Sequence, residues 1–192
     1  MTAVLSRLLT VASEQHGLFT IEQAAEAEVA DDQVRRMAAQ GVLERRAQGL
    51  YRIVAIPFNA FSEPMEAVLW AKGRALIAGP SALVLWDLAD VNPRRIHLAV
   101  PNDYRPRRAG GDLYQVHQLR LTDEVRDEVQ GVPAVTPATA IAQSIEWGVA
   151  GDMIEQAVTR ALARELIGPD TARHLRNTLT ERTGAPAAEV AQ

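Results

Sequence analysis

The sequence predicts an α+β protein of two small domains, and three observations support this fold class. A chain of 192 residues exceeds the roughly 100–150 residues of a typical domain, and its 47% hydrophobic and 23% charged residues suit a folded core. The first sixty residues show three helical patterns followed by two strands. The remaining residues mix strands and helices. We therefore expect one domain at residues 1–57, a second at residues 61–182, and a disordered tail at residues 183–192.

The composition excludes several classes of function. The chain has no cysteine, which rules out disulfides, thiolate catalysis and cysteine-ligated metal sites. The first ten residues lack the basic start and apolar run of a secretory signal, and no apolar stretch reaches the ~18 residues that would span a bilayer. We expect a soluble, cytoplasmic protein that does not contact a membrane.

The first two predicted helices are short. Apolar residues recur at helical spacing over residues 2–15, and Gly17 follows as a stop. The hydroxyl of Thr20 can accept a hydrogen bond from a free amide in the first turn of the next helix. The stripe expected to be buried on that helix consists of Ile21, Ala24 and Ala25.

A third helix follows, and its exposed face is polar. Asp31 or Asp32 can cap this helix, and Gly41 ends it. Stepping about 100° per residue from the buried Val34 places guanidinium and amide groups on the opposite face and its flanks. These groups belong to Gln33, Arg35, Arg36 and Gln40.

A β-hairpin completes the first domain. Residues 42–46 and 50–54 are predicted strands, joined by a tight turn at residues 47–49. Three helices followed by a hairpin is the order of a winged helix-turn-helix, in which the third helix enters the major groove of DNA and the hairpin contacts the backbone or the minor groove. Tyr51 is expected in the core, and Arg52 is expected to anchor the sheet.

Basic charge is concentrated in the third predicted helix and in the hairpin. Residues 1–32 hold one basic residue against six acids, whereas residues 33–52 hold five arginines against Glu44 alone. Guanidinium and amide groups can each make two hydrogen bonds to a base edge, and guanidinium groups also bind phosphate. The side chains assigned to base edges are Gln33, Arg36 and Gln40. Those assigned to phosphate or sugar are Arg35, Arg45, Arg46 and Gln48. The alternative is a protein-interaction module whose arginines are only solvated.

The second domain is predicted to combine a small sheet with several helices. Ser62 can cap a helix that follows a linker at residues 56–60, and residues 82–88 suggest a buried helix. Thr136 can cap a later helix with Pro137 at its first position. The predicted strands are residues 95–100, 113–119 and 132–135. The remaining predicted helices are residues 138–147, 152–166 and 170–181.

A second group of arginines flanks the strand at residues 95–100, with Asp103 as the one acid in the group. These side chains add phosphate contacts, bind an acidic surface of a partner, or form a solvated loop. The group consists of Arg94, Arg95, Arg105, Arg107 and Arg108.

No residue pattern typical of an enzyme is present. His97 and His117 alternate within two predicted strands and can meet across a sheet, but nothing supplies the other ligands of a metal. The sequence also lacks a nucleophile elbow and a glycine-rich phosphate loop. We expect no catalytic residues, no cofactor and no bound metal.

Four segments carry a resemblance to a known family. They read, in chain order, GLFTIEQAAEA, GLYRI, SALVLWDLADVNPRRIHLAVP and GVPAVTPATAIAQSI. In this order they resemble the AbiEi antitoxins of bacterial abortive-infection toxin–antitoxin systems of type IV, over residues 3–165. The resemblance implies a winged helix that represses its own operon at inverted repeats in double-stranded DNA. It also implies a C-terminal domain that opposes a nucleotidyltransferase-like toxin.

The sequence departs from the family pattern at two places. Relatives often carry an acidic residue in the helix after the Thr-Pro motif, whereas Gln143 stands near that point here. The chain is also shorter than many members of the family.

Three functions compete on these observations. The first is an antitoxin and transcriptional autorepressor. The second is a free-standing transcriptional regulator whose α/β domain senses a ligand or binds a protein. The third is an enzyme delivered to DNA by the winged helix, whose activity would depend on His97, His117 or a carboxylate.

Overall fold

The computed structural model describes residues 2–107 and 110–184, and its fold is α+β, as the sequence predicts. We call residues 2–53, which end with the first hairpin, the N-terminal unit. Its elements are α1 (Thr2–Ser13), β1 (Leu18–Thr20), α2 (Ile21–Glu26), α3 (Asp31–Ala39), β2 (Leu43–Ala47) and β3 (Leu50–Ile53).

A three-stranded antiparallel sheet in the order β1–β3–β2 closes the N-terminal unit. The β2–β3 hairpin is predicted by the sequence, whereas β1 is not. All three residues of β1 are buried, so the segment shows no alternation of apolar and polar side chains. Phe19 of β1 stacks on Tyr51 of β3 with ring centroids 6.0 Å apart, which confirms that Tyr51 lies in the core.

The helix caps of this unit are partly as predicted. The Thr20 hydroxyl accepts from the amide of Gln23, and Gln23 Oε1 accepts from the amide of Thr20, so Thr20 caps α2 as predicted. The prediction that Ala25 is buried is wrong, because α2 is a six-residue helix in which Ala24 is the buried residue.

The prediction that Asp31 or Asp32 caps α3 is also wrong. The N-cap is Ala30, and both aspartates lie in the first turn of the helix. Gln33 Oε1 accepts from the Ala30 amide at 3.2 Å and takes over part of the capping function. Asp31 instead pairs with Arg35 one turn further along.

The second part of the chain surrounds a five-stranded sheet. Its helices are α4 (Ser62–Trp70), α5 (Gly79–Leu85), α6 (Pro137–Glu146), α7 (Gly151–Ala163) and α8 (Pro169–Gly184). Its strands are β4 (Leu76–Ile77), β5 (Ile96–Pro101), β6 (Tyr114–Leu119), β7 (Arg126–Val129) and β8 (Val132–Val135).

The five strands have the order β6–β5–β4–β8–β7. The neighbouring strands β5 and β6 run parallel, with Ile96 opposite Tyr114, so the two predicted strands on either side of the 102–113 segment do lie side by side. The central β4 pairs antiparallel with β5 and parallel with β8. The edge strand β7 is not predicted, because three of its four residues are charged and exposed.

Two helix starts in this part correct the sequence analysis. Ser62 is the first residue of α4 and its hydroxyl accepts from the Asn59 amide at 3.0 Å, so the N-cap is Phe61 instead of Ser62. The Gly79–Ser81 segment begins α5, because Pro80 fits the first turn of a helix. Thr136 caps α6 as predicted, with its hydroxyl accepting from the Thr139 amide.

The N-terminal unit and the second part of the chain share a junction. Leu18 of β1 and Leu50 of β3 are fully buried within the hydrophobic cluster of the second part. On another side of the junction, His16 Nε2 donates to the backbone oxygen of Gln130 at 2.8 Å. The division of the chain at residues 57–61 stays a prediction.

The last described helix continues beyond the predicted second domain. Residues 183 and 184, assigned to the tail by the sequence, are the last residues of α8. Residues 185–192 of the predicted tail lie outside the described residues. Within the described ranges, no helix has both the length and the apolar character needed to cross a bilayer.

Candidate nucleic-acid interface

Helix α3 presents a polar face because its apolar residues point inward. Val34 and Met37 are buried in the core of the N-terminal unit, while Arg35, Arg36 and Gln40 are exposed. The Arg36 side chain makes no hydrogen bond or ion pair with the described part of the chain. Its guanidinium group is therefore available to an external ligand.

The three side chains assigned to base edges lie together. Gln33, Arg36 and Gln40 line one groove of about 380 Å³ beside Val4 of α1. Gln33 is engaged through its amide oxygen in the start of α3, so its amide nitrogen is the atom left for an external acceptor.

A second groove separates α3 from the β2–β3 hairpin. It has a volume of about 630 Å³, and Tyr51 contributes to its lining. Arg35, Arg45 and Gln48 line this groove and bring donors from the helix, the strand and the turn to one place. Arg35 pairs with Asp31 on an exposed surface, where such a pair is weak enough to open for another anion. Within the described residues, the Arg45 side chain makes one long hydrogen bond, from Nε to the Ala47 oxygen at 3.4 Å.

Arg46 does not join this groove and contacts the second part of the chain instead. Its Nε donates to Glu66 Oε2 of α4 at 2.9 Å, and its Nη1 donates to Glu44 Oε1 at 2.8 Å. The side chain of Glu66 is only 12% exposed, and that of Arg46 is 32% exposed. Arg46 therefore neutralises a largely buried carboxylate across the junction.

The ion pair at the junction extends along the hairpin. Arg52 donates to Glu44 at 3.0 Å and to the Ile56 oxygen at 3.1 Å, which confirms that Arg52 anchors the sheet. Hydrogen bonds from Arg46 and Arg52 lower the pKa of Glu44 below its ordinary value. The ring of Phe58 lies about 5.5 Å from the guanidinium carbons of both arginines. This network attaches the hairpin to the linker and to α4.

Glu66 and Phe58 are residues that the sequence analysis missed. Glu66 is the one charged residue in the otherwise apolar stretch Met65–Trp70 of α4. A carboxylate on a buried helical face needs a cation, and this pattern was the available signal.

The second group of arginines is divided by the structure. Arg94 and Arg95 line a cavity together with Arg46 and Tyr114. Arg105 lies on a different groove, beside Trp70 and β6, and Arg107 is exposed. Arg108 lies outside the described residues.

His97 and His117 meet across β5 and β6, as predicted. His97 Nδ1 lies 3.1 Å from His117 Nε2, and the ring of Trp147 stacks on His117 with centroids 3.7 Å apart. Burial and the neighbouring His117 lower the pKa of His97 to about 4, so both rings are held neutral at pH 7. Within residues 2–107 and 110–184, no group of three or more His, Asp or Glu side chains is placed to hold a metal ion.

Gln143, which stands where relatives often carry an acid, has a structural contact. Its Oε1 accepts from the Gly79 amide at 2.9 Å and so links α6 to the start of α5. Asp90 is bound by Arg160 and Gln156 of α7, which is typical of a turn residue that fixes a loop.

Comparisons with known proteins agree with this arrangement. Residues 6–54 match the family model described as a transcriptional regulator, AbiEi antitoxin, and this match confirms the resemblance for the N-terminal unit. The fold is similar to that of the RV2827C protein from Mycobacterium tuberculosis, at 19% sequence identity and a TM-score of 0.55. That similarity covers 97% of this chain and 79% of the other. No curated protein sequence matches the chain.

Proposed function

We propose that the protein is an antitoxin and transcriptional autorepressor whose N-terminal unit is a winged helix-turn-helix. The observation that carries the proposal is the groove between α3 and the hairpin, where Arg35, Arg45 and Gln48 converge. The groove lies within residues that match a family of transcriptional regulators. A helix and a hairpin with cationic and amide donors between them suit a DNA duplex.

In this proposal α3 enters the major groove of operator DNA. Arg36 on α3 and Gln40 at its C-cap reach base edges, because both are exposed and neither side chain is engaged by the described residues. Gln33 adds its amide nitrogen to the same set. Arg45 and Gln48 contact phosphate from the hairpin, with Arg35 opposite them.

Arg46 has a different role from the one its position in the sequence suggests. Because it is bound to Glu66 and Glu44, contact with phosphate would require it to leave a largely buried carboxylate unpaired. We assign Arg46 to the attachment of the hairpin to α4.

The antitoxin role is supported by the description of the matched family. The second part of the chain would oppose a nucleotidyltransferase-like toxin encoded beside it, without catalysis of its own. The operator would be an inverted repeat that takes two copies of the protein.

The test of the repressor role is binding of the full chain to a labelled fragment of its own promoter, against a random fragment of equal length, over a series of salt concentrations. We expect selective binding to the promoter, with an affinity that falls steeply as salt rises. Equal binding to both fragments at every salt concentration would contradict the autorepressor role.

The antitoxin role has a separate test. Expression of the neighbouring gene alone should arrest growth, and expression of this protein from an unrelated promoter should restore growth. Arrest without rescue contradicts the antitoxin role. A neighbour unrelated to nucleotidyltransferases would favour a free-standing regulator.

A further inference from the structure

A cavity of about 260 Å³ lies between the hairpin and the second part of the chain. Its walls come from three places: Arg46 on β2, Glu63 and Glu66 on α4, and the segments that begin the parallel strands β5 and β6. The proposed function uses none of its free side chains.

The positive charge in this cavity is not balanced by the protein. Arg94 and Arg95 are exposed on its rim and form no ion pair with the described residues. The charge of Glu66 is already taken by Arg46. Glu63 is the remaining carboxylate on the lining, so two free guanidinium groups face one free carboxylate.

The cavity also offers a hydroxyl donor and an apolar shelf. The Tyr114 hydroxyl is protonated at neutral pH, as in any tyrosine. Burial, together with the charge of Glu66, raises its pKa further, to about 12. Leu113, next to it, is 63% exposed and is joined on the lining by Pro93 and Ile96. An exposed leucine beside two free arginines favours a ligand with both an anionic and an apolar part.

We propose that this cavity binds a small phosphate ester that carries a flat apolar group, of the size of a nucleotide. Arg94 and Arg95 hold the phosphate through their planar guanidinium groups, which match phosphate oxygens in pairs. Pro93, Ile96 and Leu113 cover the apolar group. Arg46 stays paired with Glu66, because opening that ion pair would leave a largely buried carboxylate without a partner.

Phosphate could also come from DNA that runs past the hairpin. A free ligand and a DNA backbone differ in what they require, because only the free ligand binds when DNA is absent. Binding of the free ligand is therefore measured first in the absence of DNA. A failure of ligand binding is then distinct from a failure of the proposed repressor function.

The experiment is calorimetric titration of the full chain with ADP, with adenosine at equal concentration and sodium chloride at equal ionic strength as controls. The variant is Arg94→Ala/Arg95→Ala. The matched control is Arg105→Ala, which removes an exposed arginine from a different groove. We expect saturable binding of ADP to the wild type and to Arg105→Ala, at least tenfold weaker binding to the double variant, and none of adenosine.

Three results would overturn the proposal. They are the absence of saturable ADP binding, equal binding to the wild type and the double variant, and equal binding of adenosine. If ADP does not bind and the double variant loses affinity for operator DNA with long flanks, the two arginines belong to the DNA interface instead.

Discussion

Arg45 and Arg46 are neighbours in one strand, and their replacement by alanine should have opposite consequences. Arg46→Ala removes hydrogen bonds to Glu66 and Glu44, whereas Arg45→Ala removes a side chain that has no carboxylate partner in the described part of the chain. We expect Arg46→Ala to lower the free energy of unfolding and to leave DNA contacts in place. We expect Arg45→Ala to weaken DNA binding and to leave the free energy of unfolding nearly unchanged.

The size of the effect follows from exposure. The side chains of Arg46 and Glu44 are both partly exposed to water, and their contact stabilises the fold by about 0.2–1 kcal/mol. The side chain of Glu66 is largely buried, and a carboxylate left there without a partner costs about 1–3 kcal/mol. Arg46→Ala should therefore cost about 1–4 kcal/mol, while Arg45→Ala should stay within about 0.5 kcal/mol.

Two assays separate the variants. Urea unfolding followed by circular dichroism gives the free energy of unfolding, and Glu66→Gln, alone and combined with Arg46→Ala, isolates the pairwise coupling. Promoter binding over a salt series counts phosphate contacts, and Arg45→Ala should reduce the salt slope by about one. An Arg46→Ala variant of wild-type stability with a reduced salt slope would refute the reasoning.

Three further predictions concern other sites. Arg36→Ala should weaken binding to the labelled promoter fragment by about 1–3 kcal/mol while leaving binding to the random fragment nearly unchanged; equal losses on both fragments would assign Arg36 to phosphate. Gly79→Ala should destabilise the protein by about 2 kcal/mol or more in urea, because the new Cβ would lie 2.2 Å from the ring of Trp147 and Gly79 has a φ of +48°; an unchanged midpoint would contradict that packing. Stability should fall as pH drops from about 6.5 towards 4, because the unfolded His97 binds a proton that the folded ring, with its pKa of about 4, rejects. His97→Gln should flatten that part of the pH profile, and an unchanged profile would show that His97 is not its cause.

The features that the sequence predicts well are those that depend on nearby residues. The capping of α2 needs only Thr20 and Gln23, three residues apart, and the hairpin needs only its own turn and alternation. The pairing of β5 with β6 is a longer-range prediction that also holds. The cap and the hairpin each have one favourable local solution, whereas the pairing of β5 with β6 joins segments that are distant in sequence.

The features that the sequence does not predict depend on distant partners. The local sequence predicts that Arg46 is a surface cation. Its partner Glu66 is 20 residues away in the chain, so only the structure shows that the two side chains are in contact. Strand β7 carries no apolar alternation, because it is an exposed edge that gains its hydrogen bonds from β8. The separation of Arg94 from Arg105 likewise depends on distant contacts, because Arg105 lines a groove beside Trp70 and β6 whereas Arg94 lines the cavity with Arg46.

The burial of Leu18 and Leu50 in the hydrophobic cluster of the second part of the chain has a consequence for the cooperativity of unfolding. Both residues belong to the sheet of the N-terminal unit, yet their side chains are covered by the second part of the chain. Excising residues 1–57 would expose two leucines, each worth about 1.5–3 kcal/mol of burial. That loss is comparable to a large share of the stability of a small domain. The N-terminal unit is thus a dependent part of the molecule. We expect it to unfold together with the second part of the chain in one transition, and we expect it not to fold when it is fused to an unrelated protein.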